Sequence, residues 1–260
     1  MSSLDSSSRW LFQGQPAIVA HRGYASCYPE NTIESLRAAL EAGARYLEFD
    51  VQLSADEVPI LIHDDNLRRT SGIDGVVFDM SADELGGVDV CESLRLEGAF
   101  SDIRIPRLKE VVTLLKDWPD AVIFAELKLE SLLKFRRTQV LDRVLPILSE
   151  LGPQCVIVSY DAVVLSEVRQ RKAHSIGWVI GRWDGKAKEQ ALLLEPEFLF
   201  CNYQKIPLGM NPLWDGPWHW VVYEIDRPDL AFEWRKKGAA MVESMAVGEM
   251  LAEKPFLKGV

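Results

Sequence analysis

Residues 45–51 read Arg45-Tyr46-Leu47-Glu48-Phe49-Asp50-Val51. Successive side chains of a strand point to opposite faces, so Leu47, Phe49 and Val51 share one face while Glu48 and Asp50 share the other. Such a strand suits a closed parallel barrel, where the apolar set meets a layer of helices and the two carboxylates point inward. Working outward, seven more apolar runs occur at 16–20, 121–127, 155–160, 175–180, 197–203, 219–225 and 239–243. Several are nearly continuous in Val, Ile, Leu and aromatics, as strands covered on both faces should be. Helical patterns lie between them. Ile33, Leu36, Ala39 and Leu40 recur at helical spacing after Asn31 and stop at Gly43. Leu108, Val111, Val112 and Leu115 repeat the pattern after Pro106, and Val164, Leu165 and Val168 after Asp161. Eight strands with intervening helices in 260 residues predict an α/β fold, a (β/α)8 TIM barrel, which typically needs about 250 residues. No repeat, low-complexity tract or linker divides the chain, so 1–260 reads as one domain.

The rhythm breaks once. An extra apolar run at 58–62 lies only a turn, Ser54-Ala55-Asp56-Glu57, beyond the second strand. So short a link predicts a hairpin, because parallel partners need about a dozen connecting residues. The rest of 52–105 is rich in Gly, Ser and Asp and reads as a subdomain inserted at one end of the barrel. Long excursions of this kind are functional or disordered, and the His63-Asp64 pair it carries favours function.

Composition narrows the class. Hydrophobic residues at 48% and charged residues at 26% suit a globular chain, and no window nears the roughly 18 apolar residues of a membrane span. The Ser-rich start lacks a basic segment followed by an apolar one, so no secretory signal is expected. A formal charge of -10 disfavours nucleic acid and anionic membranes as partners, since phosphate backbones call for a basic footprint. Cys27, Cys91, Cys155 and Cys201 form no CxxC pair. They fit reduced cytosolic thiols, with those inside apolar runs acting as small buried hydrophobes.

The chemistry gathers at strand ends. Phe124-Ala125-Glu126-Leu127-Lys128 puts Glu126 and Lys128 on one face, as the earlier strand does with Glu48 and Asp50. Inward carboxylates are costly unless a cation meets them. Three of them without cysteine suit Mg²⁺ or Ca²⁺ better than zinc; ordinary salt bridges at strand ends are the plainer alternative. His21 and His63 each close an apolar run, where barrel enzymes carry catalytic residues. Arg22 offers a bidentate grip on phosphate and Lys128 a point charge. His174 and His219 precede their runs, at the opposite strand ends, and read as structural. Trp214, Trp218 and Trp220 crowd one loop, either walling the pocket mouth or packing beneath it. Glu30, Asn31 and Thr32 read as a helix-capping turn.

These pieces also carry a family resemblance. His21-Arg22-Gly23, Pro29-Glu30-Asn31-Thr32, Glu48-Phe49-Asp50-Val51, His63-Asp64 with Leu67-Arg68-Arg69-Thr70, Pro106 with Leu108 and Glu110, and Glu126-Leu127-Lys128 follow in that order. The order and spacing resemble those of glycerophosphodiester phosphodiesterases across residues 17–161, and Val158-Ser159-Tyr160-Asp161 is similar to the family's next strand end. The resemblance implies a phosphodiesterase-type TIM barrel with an insertion after its second strand. It implies a divalent metal, Mg²⁺ or Ca²⁺ with Mn²⁺ as a third option, on Glu48, Asp50 and Glu126. It implies acid–base roles for His21 and His63 and phosphate contacts from Arg22 and Lys128. The first β-to-α loop would bring Glu30 beside the metal-binding end, as an indirect or fourth ligand or a substrate contact, and Tyr223 keeps the aromatic position expected to touch substrate.

The implied reaction splits glycerophosphodiesters into sn-glycerol 3-phosphate and an alcohol, within lipid and glycerol metabolism. A cytoplasmic monomer or homodimer is expected, with a small glycerophosphodiester as partner, no nucleic acid and no membrane insertion. The last hundred residues depart from the family: Tyr223-Glu224-Ile225-Asp226 and Val242-Glu243-Ser244 replace its usual strand ends. That departure bears on alcohol specificity. Two other functions compete: a barrel that senses phosphodiesters without turnover, and a metal-dependent isomerase or aldolase.

Overall fold

The computed structural model describes residues 15–172 and 174–253. The stretch on which the absence of a secretory signal was read falls mostly in 1–14, outside the described residues.

Eight parallel strands close a ring: β1 (Ala17–Ala20), β2 (Tyr46–Leu53), β4 (Val122–Leu127), β5 (Cys155–Ser159), β6 (Ser175–Val179), β7 (Phe198–Asn202), β8 (His219–Tyr223) and β9 (Ala239–Ser244). The ring shuts where β1 pairs with both β2 and β9, Ala20 lying opposite Leu47 on one side and Ser244 on the other. The intervening strand β3 (Pro59–Leu61) runs antiparallel to β2, with Leu53 opposite Pro59, as a hairpin turn over 54–57 requires. Crossing segments carry α1 (Ile33–Glu41), α4 (Leu108–Leu115), α5 (Leu129–Lys134), α6 (Arg137–Leu148), α7 (Ala162–Gln170), α8 (Gly185–Leu194) and α9 (Pro228–Lys236), and α10 (Val247–Ala252) follows the last strand. Thr32 caps α1 by accepting from the Ser35 N–H at 3.1 Å, and Asp161 caps α7.

Two apolar layers follow from strand alternation. Leu47, Phe49 and Val51 join the large cluster between strands and helices, whereas Val19, Phe124, Phe198, Phe200 and Met241 fill the barrel interior. Inside, Phe124 meets Phe198 edge to face at 4.9 Å between centroids, and Phe200 at 5.4 Å. Gly177 makes room for this plug, since a Cβ there would stand 2.7 Å from the Phe200 ring. Between β3 and α4 lie α2 (Arg68–Ser71) and α3 (Ala82–Leu85). With Leu67, Val77, Leu85, Val90 and Ile103, this segment packs a separate cluster against Ile60 and Ile62 of the hairpin.

Cys91, Cys155 and Cys201 are buried and Cys27 is exposed, all as free thiols. Trp183 stacks on Trp220 and lies tilted against Trp214, which meets Trp220 edge to face, and the Trp220 indole N–H donates to the Trp214 carbonyl at 2.9 Å. The tryptophan-rich loop thus packs in the layer outside the barrel and does not wall the mouth. Among the described residues, no helix is long and apolar enough to cross a membrane.

Candidate active site

The C-terminal ends of the strands surround a cavity of about 280 Å³. His21, Arg22, His63, Glu126, Lys128, Tyr160, Tyr223 and Glu243 border it, with Phe200 and Val179 below and Asn202, Lys205 and Glu224 completing the wall. Glu48 and Asp50 lie buried on the inward face of β2.

A sharp turn after β1 aims His21 and Arg22. Arg22 and Gly23 both take left-handed backbone conformations, with φ of 56° and 82°. A Cβ on Gly23 would come within 2.6 Å of the Ser35 carbonyl carbon, so the turn can press against the first turn of α1 only because residue 23 has no side chain. The Arg22 carbonyl accepts from the Asn31 N–H at 3.1 Å, and the Arg22 N–H donates to the Glu48 carboxylate at 3.0 Å. Asn31, itself at φ 57°, brackets Asp50 by donating to its carboxylate at 2.8 Å and accepting its N–H at 3.0 Å.

Charge is unevenly distributed. Burial alone would raise the Asp50 carboxyl, but Lys128 at 3.3 Å and Arg22 at 3.2 Å outweigh it and hold it far below its usual range. Glu48 has less help: burial, then Asp50 and Glu243, push its carboxyl well up against the opposing charge of Arg22. Glu126 is raised by burial despite Lys128 at 3.0 Å. Burial, followed by the neighbouring Arg22 charge, lowers His21, so its imidazole is neutral. His63 is half-exposed and bonded through Nδ1 to Asp64 at 2.7 Å. The Tyr160 and Tyr223 hydroxyls meet at 2.8 Å on the far wall.

The donor set fits a hard divalent cation. One carboxylate oxygen each from Glu48, Asp50 and Glu126 falls within 4.8 Å of the others, and Glu48 Oε1 is buried without a hydrogen-bond partner. Glu30 stands elsewhere. Both its oxygens accept from the Arg69 guanidinium at 2.7 Å, and one also accepts from Arg22 at 2.9 Å, so it backs Arg22 instead of bordering the cavity. Arg69 also holds Asp64 at 2.7 Å, while Glu92 accepts the Glu30 N–H at 2.8 Å and pairs with Arg95. This chain of ion pairs ties the segment after β3 to Arg22 and His63.

Of the residues singled out from sequence, His21, Arg22, His63, Glu126, Lys128 and Tyr223 meet around one cavity above Glu48 and Asp50. Asp226 is spent on Ser244 Oγ and the Met245 N–H, at 2.8 and 2.9 Å, whereas Glu224 reaches the wall. His174 and His219 lie away from the cavity, at strand starts. Glu243 was missed as a site residue, although the signal that exposed Glu48, an inward acid beside outward apolar neighbours near a strand end, was present in Met241-Val242-Glu243. The contact of Glu92 with the Glu30 N–H, 62 positions away, has no counterpart in local sequence pattern.

Comparison with known proteins gives a concordant result. A family model described as the glycerophosphoryl diester phosphodiesterase family matches residues 21–180. The chain is similar to glycerophosphodiester phosphodiesterase 1 of Mus musculus, 38% identical over 95 residues, 36% of this chain and 29% of that protein. It is similar to the Bos taurus protein of the same name, 25% identical over 243 residues, 86% of this chain and 70% of that one. A solved phosphodiesterase of Oleispira antarctica, in complex with the product sn-glycerol-3-phosphate, shares the fold with a TM-score of 0.79 at 23% identity, covering 92% of this chain and 96% of that one. The match thus spans under a third of the mouse relative's length.

Proposed function

Because the chain belongs to the glycerophosphoryl diester phosphodiesterase family, we propose that it hydrolyses small glycerophosphodiesters to sn-glycerol 3-phosphate and an alcohol, with the cavity over β2 and β4 as its active site. One observation carries the proposal: His21 and His63 share a single cavity wall with Arg22 and Lys128, directly above a triad of carboxylates. A sensor that only binds has no use for an acid–base pair of imidazoles, and an isomerase or aldolase works at a carbonyl carbon and has no need of that pair beside the cations that grip a phosphate.

Glu48, Asp50 and Glu126 would hold the divalent ion, Mg²⁺, Ca²⁺ or Mn²⁺, which when bound supplies Lewis-acid polarisation and charge neutralisation at phosphate. The chain's own residues do the rest. Arg22 and Lys128, fixed by Asp50, Glu30 and Glu126, present cations to the phosphodiester without first having to be ordered. His21, neutral because it is buried, takes the proton from the glycerol hydroxyl next to the phosphorylated carbon, and that oxygen attacks phosphorus. His63, oriented by Asp64 through Nδ1, gives a proton to the departing alkoxide. Water then opens the cyclic phosphate, with the proton transfers reversed. Tyr223 and Tyr160 flank the alcohol, and Glu30 serves the substrate at one remove by setting Arg22.

A coupled assay for glycerol 3-phosphate release from glycerophosphocholine and glycerophosphoethanolamine tests this reading. Turnover should vanish with EDTA and return with added divalent ion. Undiminished turnover in a chelated, metal-free preparation would remove the ion from the proposal, and no release from any glycerophosphodiester would remove the function. We further propose a cytoplasmic enzyme whose 52–105 segment acts as an inserted subdomain that buttresses the site.

A further inference from the structure

Glu243 has no part in the reaction just described, yet it occupies a costly position. It lies on β9 level with Val19 of β1 and Tyr223 of β8, on the inward face two residues beyond Met241. It borders the cavity beside His21 and Tyr223. The residue is 4% exposed, and its Oε1 is buried without a hydrogen-bond partner, the same condition as Oε1 of Glu48, which is 3% exposed. Buried carboxylates normally find a donor or a cation. Burial, then the charges of Glu126 and Asp50, push the Glu243 carboxyl well above its ordinary value. Around the cavity floor, the carboxyls of Glu48, Asp50, Glu126 and Glu243 outnumber the cations Arg22 and Lys128 set among them, an excess of acids that a divalent ion would meet.

Glu243 does not belong to the group of three whose oxygens fall within 4.8 Å of one another. A position beside that group, not in it, suits an acceptor that reaches an ion through an intervening water. We propose that Glu243 is an outer anionic partner of the divalent-cation site, a fourth carboxylate that raises ion affinity by its charge and by a water-bridged oxygen. The inference rests on the proposed ion site at Glu48, Asp50 and Glu126, and its test separates the two.

Chelator-treated protein is titrated calorimetrically with Mg²⁺, Ca²⁺ and Mn²⁺, and its melting temperature is read with and without each ion. Removing outer partners of metal ligands typically costs about 10–100-fold in affinity. Glu243→Gln should therefore bind at least about tenfold more weakly. Its metal-free form should melt no lower than the unsubstituted protein, because a buried acid has become a neutral amide, while its gain on ion addition should shrink. Glu243→Asp, which keeps the charge, should retain more affinity than Glu243→Gln. Absence of ion binding by the unsubstituted protein would sink the ion site itself. Ion binding by Glu243→Gln at unchanged affinity would overturn the role of Glu243 alone. So would a lower melting temperature with an unchanged ion-dependent gain, or a Glu243→Asp variant weaker than Glu243→Gln, since either would mark a packing role.

Discussion

At the scale of single residues, the two histidines differ in surroundings, and the difference can be read kinetically. His21 is buried and neutral, while His63 is half-exposed and bonded to a carboxylate. An acid matters most when the departing alkoxide is poor, and such assistance is worth typically about 10²–10⁴-fold. His63→Ala should lose activity on that scale with glycerophosphocholine and much less with a glycerophosphodiester of p-nitrophenol, which leaves without a proton. His21→Ala should be impaired with both. Rescue by the good leaving group in His21→Ala instead would reverse the assignment. Glu48→Gln should weaken divalent-ion binding in calorimetry while circular dichroism shows the fold intact. These residues were legible because each closes or alternates within an apolar strand run, a local pattern. Glu243 follows the same rule and was passed over because its neighbours matched no motif. Asp64, Arg69, Glu30 and Glu92 act through pairs up to 62 positions apart, which no local period encodes.

Among the elements, the turn between β1 and α1 places two of the proposed functional side chains. Gly23→Ala must put a side chain into left-handed backbone and against the Ser35 and Leu36 main chain. The conformational part alone costs about 1–2 kcal/mol, so a melting temperature lower by about 2 °C or more is expected for a chain of this size. Activity should fall further than stability, because His21 and Arg22 swing with the turn. A Gly23→Ala variant with unaltered melting and turnover would show that the turn relaxes freely. Strands and helices were readable from apolar periodicity, and β3 from the brevity of its turn. The apolar cluster of Leu67, Leu85 and Ile103 was not, because its members come from short, irregular pieces too brief to show a period.

For the molecule as a whole, the closed barrel sequesters Cys155 and Cys201, and the segment after β3 buries Cys91. Burial pushes Cys201 up to about 12, and Cys155, also buried, moves in the same direction. Thiolates are the reactive form, so neither should react in the native protein. Titration with a disulfide reagent should modify one thiol, Cys27, at once, and all four after denaturation; rapid labelling of two or more in the native state would mean that the barrel opens readily. The ring also closes in a particular way, since β1 and β9, the first and last strands, are neighbours. His21 from one and Glu243 from the other border the same cavity. During synthesis, the ribosome has released more than two hundred residues before the strand that completes this wall emerges. A nascent chain cannot hold a finished pocket until then, so the candidate site and full closure arrive together, and a stalled or prematurely ended polypeptide would present two unpaired edges to chaperones in place of that pocket.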